Sequence, residues 1–225
     1  MVVGSIPTFG SPSMTKKEKV LEIIKRLKKV YPDAKIALDF KNPFELLIST
    51  ILAAQSTDVG VNRAAPALFK SYPTPEKMAK ASREDLDKYI TNVNFHWNKT
   101  RLIKDAAQMI VDKFKAQVPD NMADLDSLPG VARKTANVVL SCAFGKPEGI
   151  IIDTHMIRMS NRLRLTDSKD PVKIEKDLMK IVPKNHWINF PLMLILHGRH
   201  VCTARPHTCA NCPLGDLCPD GPNSK

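Results

Sequence analysis

The sequence lacks a long apolar segment and is poor in aromatic residues. No run approaches the roughly 18 consecutive apolar residues that a transmembrane helix needs, and Phe, Trp and Tyr together account for only 6% of the chain. Residues 1–14 do not join a basic start to an apolar core, so they read as a flexible tail and not a signal peptide. Met14 is an alternative start. We therefore expect a cytoplasmic protein without a membrane partner.

Strand patterns are also almost missing. Sustained alternation of apolar and polar residues is not found, and only Gly149–Ile152 has the composition of a short strand. One such run cannot build a sheet. With 43% apolar residues in 225, the chain is long enough for a substantial core. The pattern predicts an all-α fold.

Helix starts are well marked. Thr15 to Glu18 forms a capping box before apolar residues at helical spacing. Asn42 precedes Pro43, a pair typical of a first turn, and the apolar segment Phe44–Ala54 predicts a buried central helix. Further starts or helices are predicted at Thr74-Pro75, Ser82, Ile103–Phe114 and Asp170-Pro171.

Positive charge is in excess. Lys and Arg number 34 against 23 Asp and Glu, which leaves a formal net charge of +11. A surplus of this size favours a polyanionic partner, most commonly nucleic acid. A solvated surface biased toward solubility explains the charge equally well.

Four of the five cysteines lie close together near the C-terminal end of the sequence. Cys202, Cys209, Cys212 and Cys218 follow the pattern C-x6-C-x2-C-x5-C. Soft ligands at this density indicate a metal centre, either a zinc ion or an iron–sulfur cluster. Zinc sites usually pair their cysteines closely, and only Cys209 and Cys212 form such a pair. Cys142 is expected in a helix core.

A helical hairpin is predicted over residues 121–144. A short helix ends near Leu128, Pro129-Gly130 makes the turn, and a second helix starts at about Arg133. The N–H groups at its start can hold a phosphate oxygen. Lys134 lies in this first turn, and partial burial there would favour its neutral, nucleophilic form. An ordinary surface corner is the plain alternative.

The segment LPGVARKTANVVL resembles the helix-hairpin-helix motif of the endonuclease III family of DNA glycosylases, and the four-cysteine pattern matches that family's cluster loop. The resemblance spans about residues 15–220. It implies a [4Fe–4S] cluster, with Lys134 and Asp153 as the catalytic pair. Asp153 also has the sequence position of a helix N-cap. Ala132 stands where the family usually has a second glycine, which would cost about 1 kcal/mol if the backbone there were left-handed.

The resemblance also implies an architecture of two helical lobes with a DNA-binding cleft between them. After the tail at residues 1–14, one lobe joins residues 15–35 to 147–225 and carries the cluster loop at 202–218. Residues 36–146 form a six-helix lobe with the hairpin.

Further DNA contacts are implied by the same resemblance. Gln55 and Asp58 belong to a motif that plugs the duplex when a nucleotide leaves the stack. Phe95 takes the position of a second wedge, flanked by Asn94 in place of a glycine and by His96; a core role for Phe95 is the alternative. Arg205 and His207 make the cluster loop basic. The complete set of expected DNA-binding residues is Gln55, Asp58, Phe95, His96, Gly130, Ala132, Arg133, Thr135, His155 and Arg205.

The implied activity is excision of damaged pyrimidines from duplex DNA followed by β-elimination at the abasic site, by a monomer that would be nucleoid-associated in a prokaryote. Three alternatives remain at this point. They are a monofunctional glycosylase, a non-catalytic DNA-binding module held by zinc, and a small electron-transfer protein. Relatives of the first kind usually lack a lysine at this position.

Overall fold

The computed structural model describes residues 14–205 and 209–221, and no strand occurs among them. The all-α prediction is confirmed, and residues 149–152 form no strand; Ile150, Ile151 and Ile152 are buried instead. No helix in the described part of the chain is long and apolar enough to cross a membrane. The helices are α1 (Lys16–Val30), α2 (Pro43–Ala53), α3 (Asp58–Ser71), α4 (Pro75–Lys80), α5 (Arg83–Ile90), α6 (His96–Phe114), α7 (Met122–Asp126), α8 (Arg133–Ala143), α9 (Thr154–Arg162), α10 (Pro171–Ile181) and α11 (Asn189–His200), with a 3₁₀ turn at Lys184–His186.

The predicted helix starts are confirmed by their capping bonds. Thr15 and Glu18 form a reciprocal capping box at α1. Asn42 Oδ1 accepts the Glu45 N–H at α2, while Glu45 reaches back to the Lys41 N–H. The side chains of Thr74, Ser82 and Asp170 cap α4, α5 and α10 in the same manner. Each bond satisfies a backbone N–H that the helix itself leaves without a partner.

The core is divided into two hydrophobic clusters. The larger one surrounds α2, which is buried on nearly all sides, and takes residues from α2 to α8. The smaller one combines α1 with α9, α10, α11 and the segment after Cys202. Ile195 of α11 packs against both clusters. The start of the chain therefore folds back onto its C-terminal part, and the groups between the clusters can form a cleft.

The hairpin between α7 and α8 depends on one glycine. Gly130 has φ +78, a left-handed conformation that L side chains rarely adopt, and a Cβ there would lie 3.2 Å from side-chain atoms of Ile51 and Leu102. Ala132 has φ −119, which is ordinary extended backbone. Alanine at this position is therefore unstrained, and the cost considered from the sequence does not arise.

Candidate active site

A cleft of about 820 Å³ opens between the two clusters and collects residues from both. Lys134 and Thr135 line it from the first turn of α8, and Asp153 and His155 line it from the start of α9. Asp58, at the first turn of α3, also lies on its wall. The structure therefore brings together the two residues expected to be catalytic and three of the expected DNA contacts.

Lys134 is exposed at the wall of this cleft, so the expectation of partial burial is wrong. Val138 and Val139 are buried, but they lie on later turns of α8 and do not enclose the amine. Lys134 is exposed because it lies in the first turn of α8, at the wall of the cleft and not between packed helices. An amine placed in this way is accessible to a large substrate.

Asp153 serves as the N-cap of α9. Its Oδ1 accepts the Met156 N–H at 2.8 Å, which leaves Oδ2 outside that bond. The carboxylate is half-buried and lines the cleft together with Lys134. The two roles suggested by the sequence, helix cap and cleft carboxylate, are therefore both compatible with one side chain.

Arg133, which was expected to contact DNA, also makes an ion pair within the protein. Its guanidinium makes two hydrogen bonds to Glu175 of α10, with Nε to Oε2 at 2.7 Å and Nη2 to Oε1 at 3.0 Å. Asn137 Nδ2 donates to the same carboxylate at 2.9 Å. The Glu175 side chain is only 5% exposed, whereas that of Arg133 is 46% exposed. The first contribution of Arg133 is therefore to neutralise a buried carboxylate across the two clusters.

The start of α8 is otherwise open. Ala132, an exposed residue, is the N-cap and supplies no side-chain bond to the N–H groups of the first turn. Gly130 before it is exposed as well. Uncapped N–H groups at the positive end of a helix are suited to an anionic oxygen.

The two loops expected to enter the duplex lie side by side. Gln55 and Phe95 are exposed, Phe95 at 65%, and both have left-handed backbones with φ +54 and +57. Asn94 Nδ2 donates to the Gln55 carbonyl oxygen at 2.8 Å, so the asparagine that replaces a glycine links the loops. His96 Nδ1 lies 2.6 Å from Asp87 Oδ1 at the start of α6. High exposure is against the alternative core role for Phe95.

The structure adds site residues that the sequence reasoning missed. Arg199 of α11 lines the cleft and pairs with Asp58. Lys99 of α6 is buried beneath the Gln55 loop and bonds to its Ser56. A signal for Lys99 was present, because it precedes Ile103 by four residues and Ala106 by seven, which places a lysine on the apolar face of a helix.

The four clustered cysteines line a second, smaller cavity of about 190 Å³. Burial raises the pKa of Cys212 and of Cys218 above the usual thiol range, and the negative charges of the neighbouring cysteines act in the same direction. Arg162 Nη1 lies 2.9 Å from Cys202 Sγ. Among the described residues, no three His, Cys, Asp or Glu side chains are close enough to hold one metal ion.

The basic residues expected in the cysteine loop are only partly described. Arg205, which follows Cys202 in the chain, is exposed, and His207 lies outside the described residues. Cys142 packs against the larger cluster, as expected.

The chain is similar to a known family of DNA repair proteins. The model of the HhH-GPD superfamily base excision DNA repair protein matches residues 48–184. Endonuclease III of Synechocystis sp. is 47% identical over 205 residues, which is 91% of this chain and 94% of the relative. Endonuclease III of Escherichia coli is 40% identical over 202 residues, or 90% and 95% of the two chains.

Solved structures of DNA repair enzymes have a similar fold. A trapped endonuclease III–DNA covalent intermediate superposes with a TM-score of 0.85 at 40% identity, covering 91% of this chain and 96% of that one. A thermostable thymine-DNA glycosylase reaches a TM-score of 0.80 at 20% identity, covering 92% and 97%, which shows a shared fold alone.

Proposed function

The chain belongs to the HhH-GPD superfamily of base excision DNA repair proteins and, within it, to the endonuclease III family, and we propose that Lys134 is the nucleophile with which it excises damaged pyrimidines. Members of this family are bifunctional enzymes that act on double-stranded DNA as DNA glycosylases and abasic-site lyases. This chain has the same activity. The observation that carries the assignment to Lys134 is the shared cleft of its amine and the Asp153 carboxylate.

The chemistry needs a neutral amine and a carbon that can accept its electron pair. The Lys134 Nζ forms a bond to C1′ of the nucleotide, the C1′–base bond breaks, and the base leaves with a proton. The C1′–O4′ bond then breaks, O4′ takes a proton from water, and the lone pair on Nζ gives a protonated imine between Nζ and C1′. Loss of a proton from C2′ then expels the phosphate on the 3′ side, and water releases the enzyme. The accessible position of Lys134 suits a sugar that has swung out of the duplex.

Asp153 contributes through its charge. A half-buried carboxylate that lines the same cleft as Lys134 can stabilise positive charge that develops on the sugar, or take the proton that the amine must lose. The cap bond to Met156 fixes one carboxylate oxygen and thereby orients the other. The N-cap bond therefore helps to position the carboxylate in the cleft.

Backbone groups hold the DNA strand. The open start of α8, with Gly130 and Ala132 ahead of it and Thr135 in its first turn, offers N–H and hydroxyl donors to a phosphate. His155 lines the same cleft, Arg205 of the cysteine loop is exposed, and both can donate to phosphate; the net charge of +11 favours the polyanion. Gln55 and Phe95 fill the space that the extruded nucleotide leaves.

The four cysteines fit a [4Fe–4S] cluster. Four thiolates are the usual ligands of such a cluster, whereas zinc sites usually have two close cysteine pairs and this sequence has one, Cys209 and Cys212. A cavity of about 190 Å³ lined by Cys202, Cys209, Cys212 and Cys218 suits a larger inorganic unit. The cluster would be held by these thiolates and would fix the basic loop between the first two of them.

Borohydride trapping tests the assignment of the nucleophile. Reduction of the imine should give a stable protein–DNA adduct with abasic duplex DNA for the wild type, and Lys134→Ala should abolish both the adduct and strand cleavage. Lys35→Ala is the matched control, because Lys35 is an exposed lysine on the same cleft and should be dispensable. An adduct that persists in Lys134→Ala would refute the assignment. A panel of duplexes with single defined lesions tests the preference for damaged pyrimidines.

A further inference from the structure

Lys99 is a buried cation without an acidic partner among its hydrogen bonds. Only 4% of the residue is exposed. Its Nζ donates to the Leu52 carbonyl oxygen and to Ser56 Oγ, both at 2.7 Å. Burial lowers its pKa to about 8, and no charged neighbour contributes to the shift. Burying a charged amine in this way is costly, so the bonds it makes require an explanation beyond packing.

The first of these bonds fixes the end of α2. Leu52 lies in the last turn, where carbonyl groups have no partner within the helix, and a cation is favourable at this negative end. Gln55 follows three residues later. A bond at Leu52 therefore anchors the base of the loop that presents Gln55.

The second bond leads to the other loop. Ser56 Oγ accepts from Lys99 and also from the Asn94 N–H at 3.1 Å, so both acceptor positions of the hydroxyl are in use. Asn94 in turn donates from Nδ2 to the Gln55 carbonyl oxygen. Lys99 thus lies beneath a closed chain of hydrogen bonds that joins the Gln55 loop to the residue before Phe95.

The two loop tips need such support. Gln55 and Phe95 both have positive φ, which costs a residue with a side chain roughly 1–2 kcal/mol. Strained conformations of this kind persist only where the surroundings determine them. Phe95 has no side-chain cap bond at the start of α6 either, so its position depends on the neighbouring contacts.

We propose that Lys99 is a positioning residue for base extrusion, whose buried amine locks the Gln55 and Phe95 loops into one rigid wedge. The proposal rests on the proposed function, because the wedge matters only if the enzyme extrudes a nucleotide from a duplex. Lys99 does not contact the reacting atoms. Its effect is on the step that opens the stack and not on the chemistry at Lys134.

The test compares two substrates with the same abasic site. One is a fully paired duplex, and the other places the site in a short unpaired bubble between paired arms, where little unstacking is needed. Lys99→Met should slow single-turnover cleavage of the paired duplex by about 10- to 100-fold, the equivalent of the few kcal/mol that unstacking takes. Cleavage of the bubble should stay within about twofold.

Lys104→Met is the matched control. Lys104 lies on the same helix and makes the same kind of bond, donating to the carbonyl oxygens of Ala79 and Ala81 at 2.6 Å each, at the C-terminal end of α4 and not in either of the two loops. This variant should cleave both substrates at the wild-type rate.

2-Aminopurine opposite the abasic site gives a second readout of base extrusion. Its fluorescence should rise when the wild type binds the duplex, and it should rise much less when Lys99→Met binds.

Each remaining result has a defined meaning. Equal cleavage of the paired duplex by Lys99→Met and wild type would overturn the proposal, as would an equal loss on both substrates, which indicates a general structural role. Should Lys99→Met fail to fold, Asn94→Ala removes the link from the exposed side, and it should show the same split at about 3- to 10-fold. Failure of the wild type on both substrates would instead overturn the proposed function itself.

Discussion

Arg199 and Asp58 form an ion pair across the cleft, with Nη1 2.8 Å from Oδ2. Arg199 belongs to α11, a helix that contributes to the smaller hydrophobic cluster, whereas Asp58 is the first residue of α3, a helix of the larger one. The side chains are 34% and 27% exposed, so solvent screens the pair only in part. Asp58 was expected to contact DNA, and the structure gives it the further role of holding an arginine on the cleft wall.

This pair should contribute measurably to stability. In a double-mutant cycle with Asp58→Asn and Arg199→Met, we expect a coupling free energy of about 0.5–1 kcal/mol from urea unfolding. The pair Asp85–Lys88 is the control, because it is slightly shorter at 2.7 Å but its side chains are 50% and 71% exposed. Its coupling should be smaller. A coupling near zero for Arg199 with Asp58 would show that the contact does not hold the two sides together.

Asp153→Asn separates the two roles of the carboxylate. Asparagine caps a helix as well as aspartate does, so the bond to the Met156 N–H is kept and stability should change by less than about 0.5 kcal/mol. Loss of the negative charge should nevertheless slow single-turnover cleavage of abasic DNA by at least about 100-fold.

Asp170→Asn is the matched control for this prediction. Asp170 caps α10 with the same geometry, accepting the Lys173 N–H at 2.8 Å, and does not line the cleft. Its substitution should leave cleavage unchanged. Wild-type activity in Asp153→Asn would reduce Asp153 to a structural cap.

Local features of the fold were predictable from the sequence because their causes are local. A cap such as Asn42 lies within three residues of the N–H group that it satisfies. The turn at Gly130 is likewise determined by adjacent residues, whose backbone conformations are restricted. Lys134, Asp153 and the cysteines were found through motifs and a family resemblance, which also rest on short segments.

Contacts between distant segments were not predictable in this way. Nothing near Glu175 in the sequence indicates that its carboxylate will accept hydrogen bonds from Arg133 and Asn137. The exposure of Lys134 was misjudged for a related reason, since neighbouring valines on a helix do not determine which side of the first turn faces a cleft. A single sequence indicates which face of each helix is apolar, but it does not indicate which helix faces pack against each other.

Gly149 should be intolerant of a side chain, because it packs against the carboxylate that Arg133 holds. A Cβ at this position would lie 1.8 Å from Glu175 Oε1 and 3.0 Å from Asn137 Nδ2. Gly149→Ala must therefore displace a buried, bonded carboxylate, and we expect a loss of about 1–3 kcal/mol in the free energy of unfolding. Gly145→Ala is the comparison, with φ +64 but open space around the Cβ, at about 1 kcal/mol. Equal losses would show that the Glu175 site can adjust.

Lys99 should make stability depend on pH in alkaline solution. Its pKa is about 8 in the folded protein against 10.5 for the ordinary amine, the cause being burial. Between these values the unfolded chain binds a proton that the folded protein does not, so the free energy of unfolding rises with pH in this window. Below about pH 8 the buried charge imposes its full cost. Relative to Lys99→Met, the wild type should therefore gain on the order of 3 kcal/mol from pH 8 to pH 10.5.

Two measurements check this dependence. Urea unfolding of wild type and Lys99→Met at several pH values isolates the contribution of one amine, since the other titrating groups cancel in the difference. In parallel, the ¹³Cε resonance of Lys99 should titrate with a midpoint near 8 in the folded protein. A midpoint above about 10, together with a flat difference between the two proteins, would mean that the amine keeps its hydration and that burial at Leu52 and Ser56 costs it little.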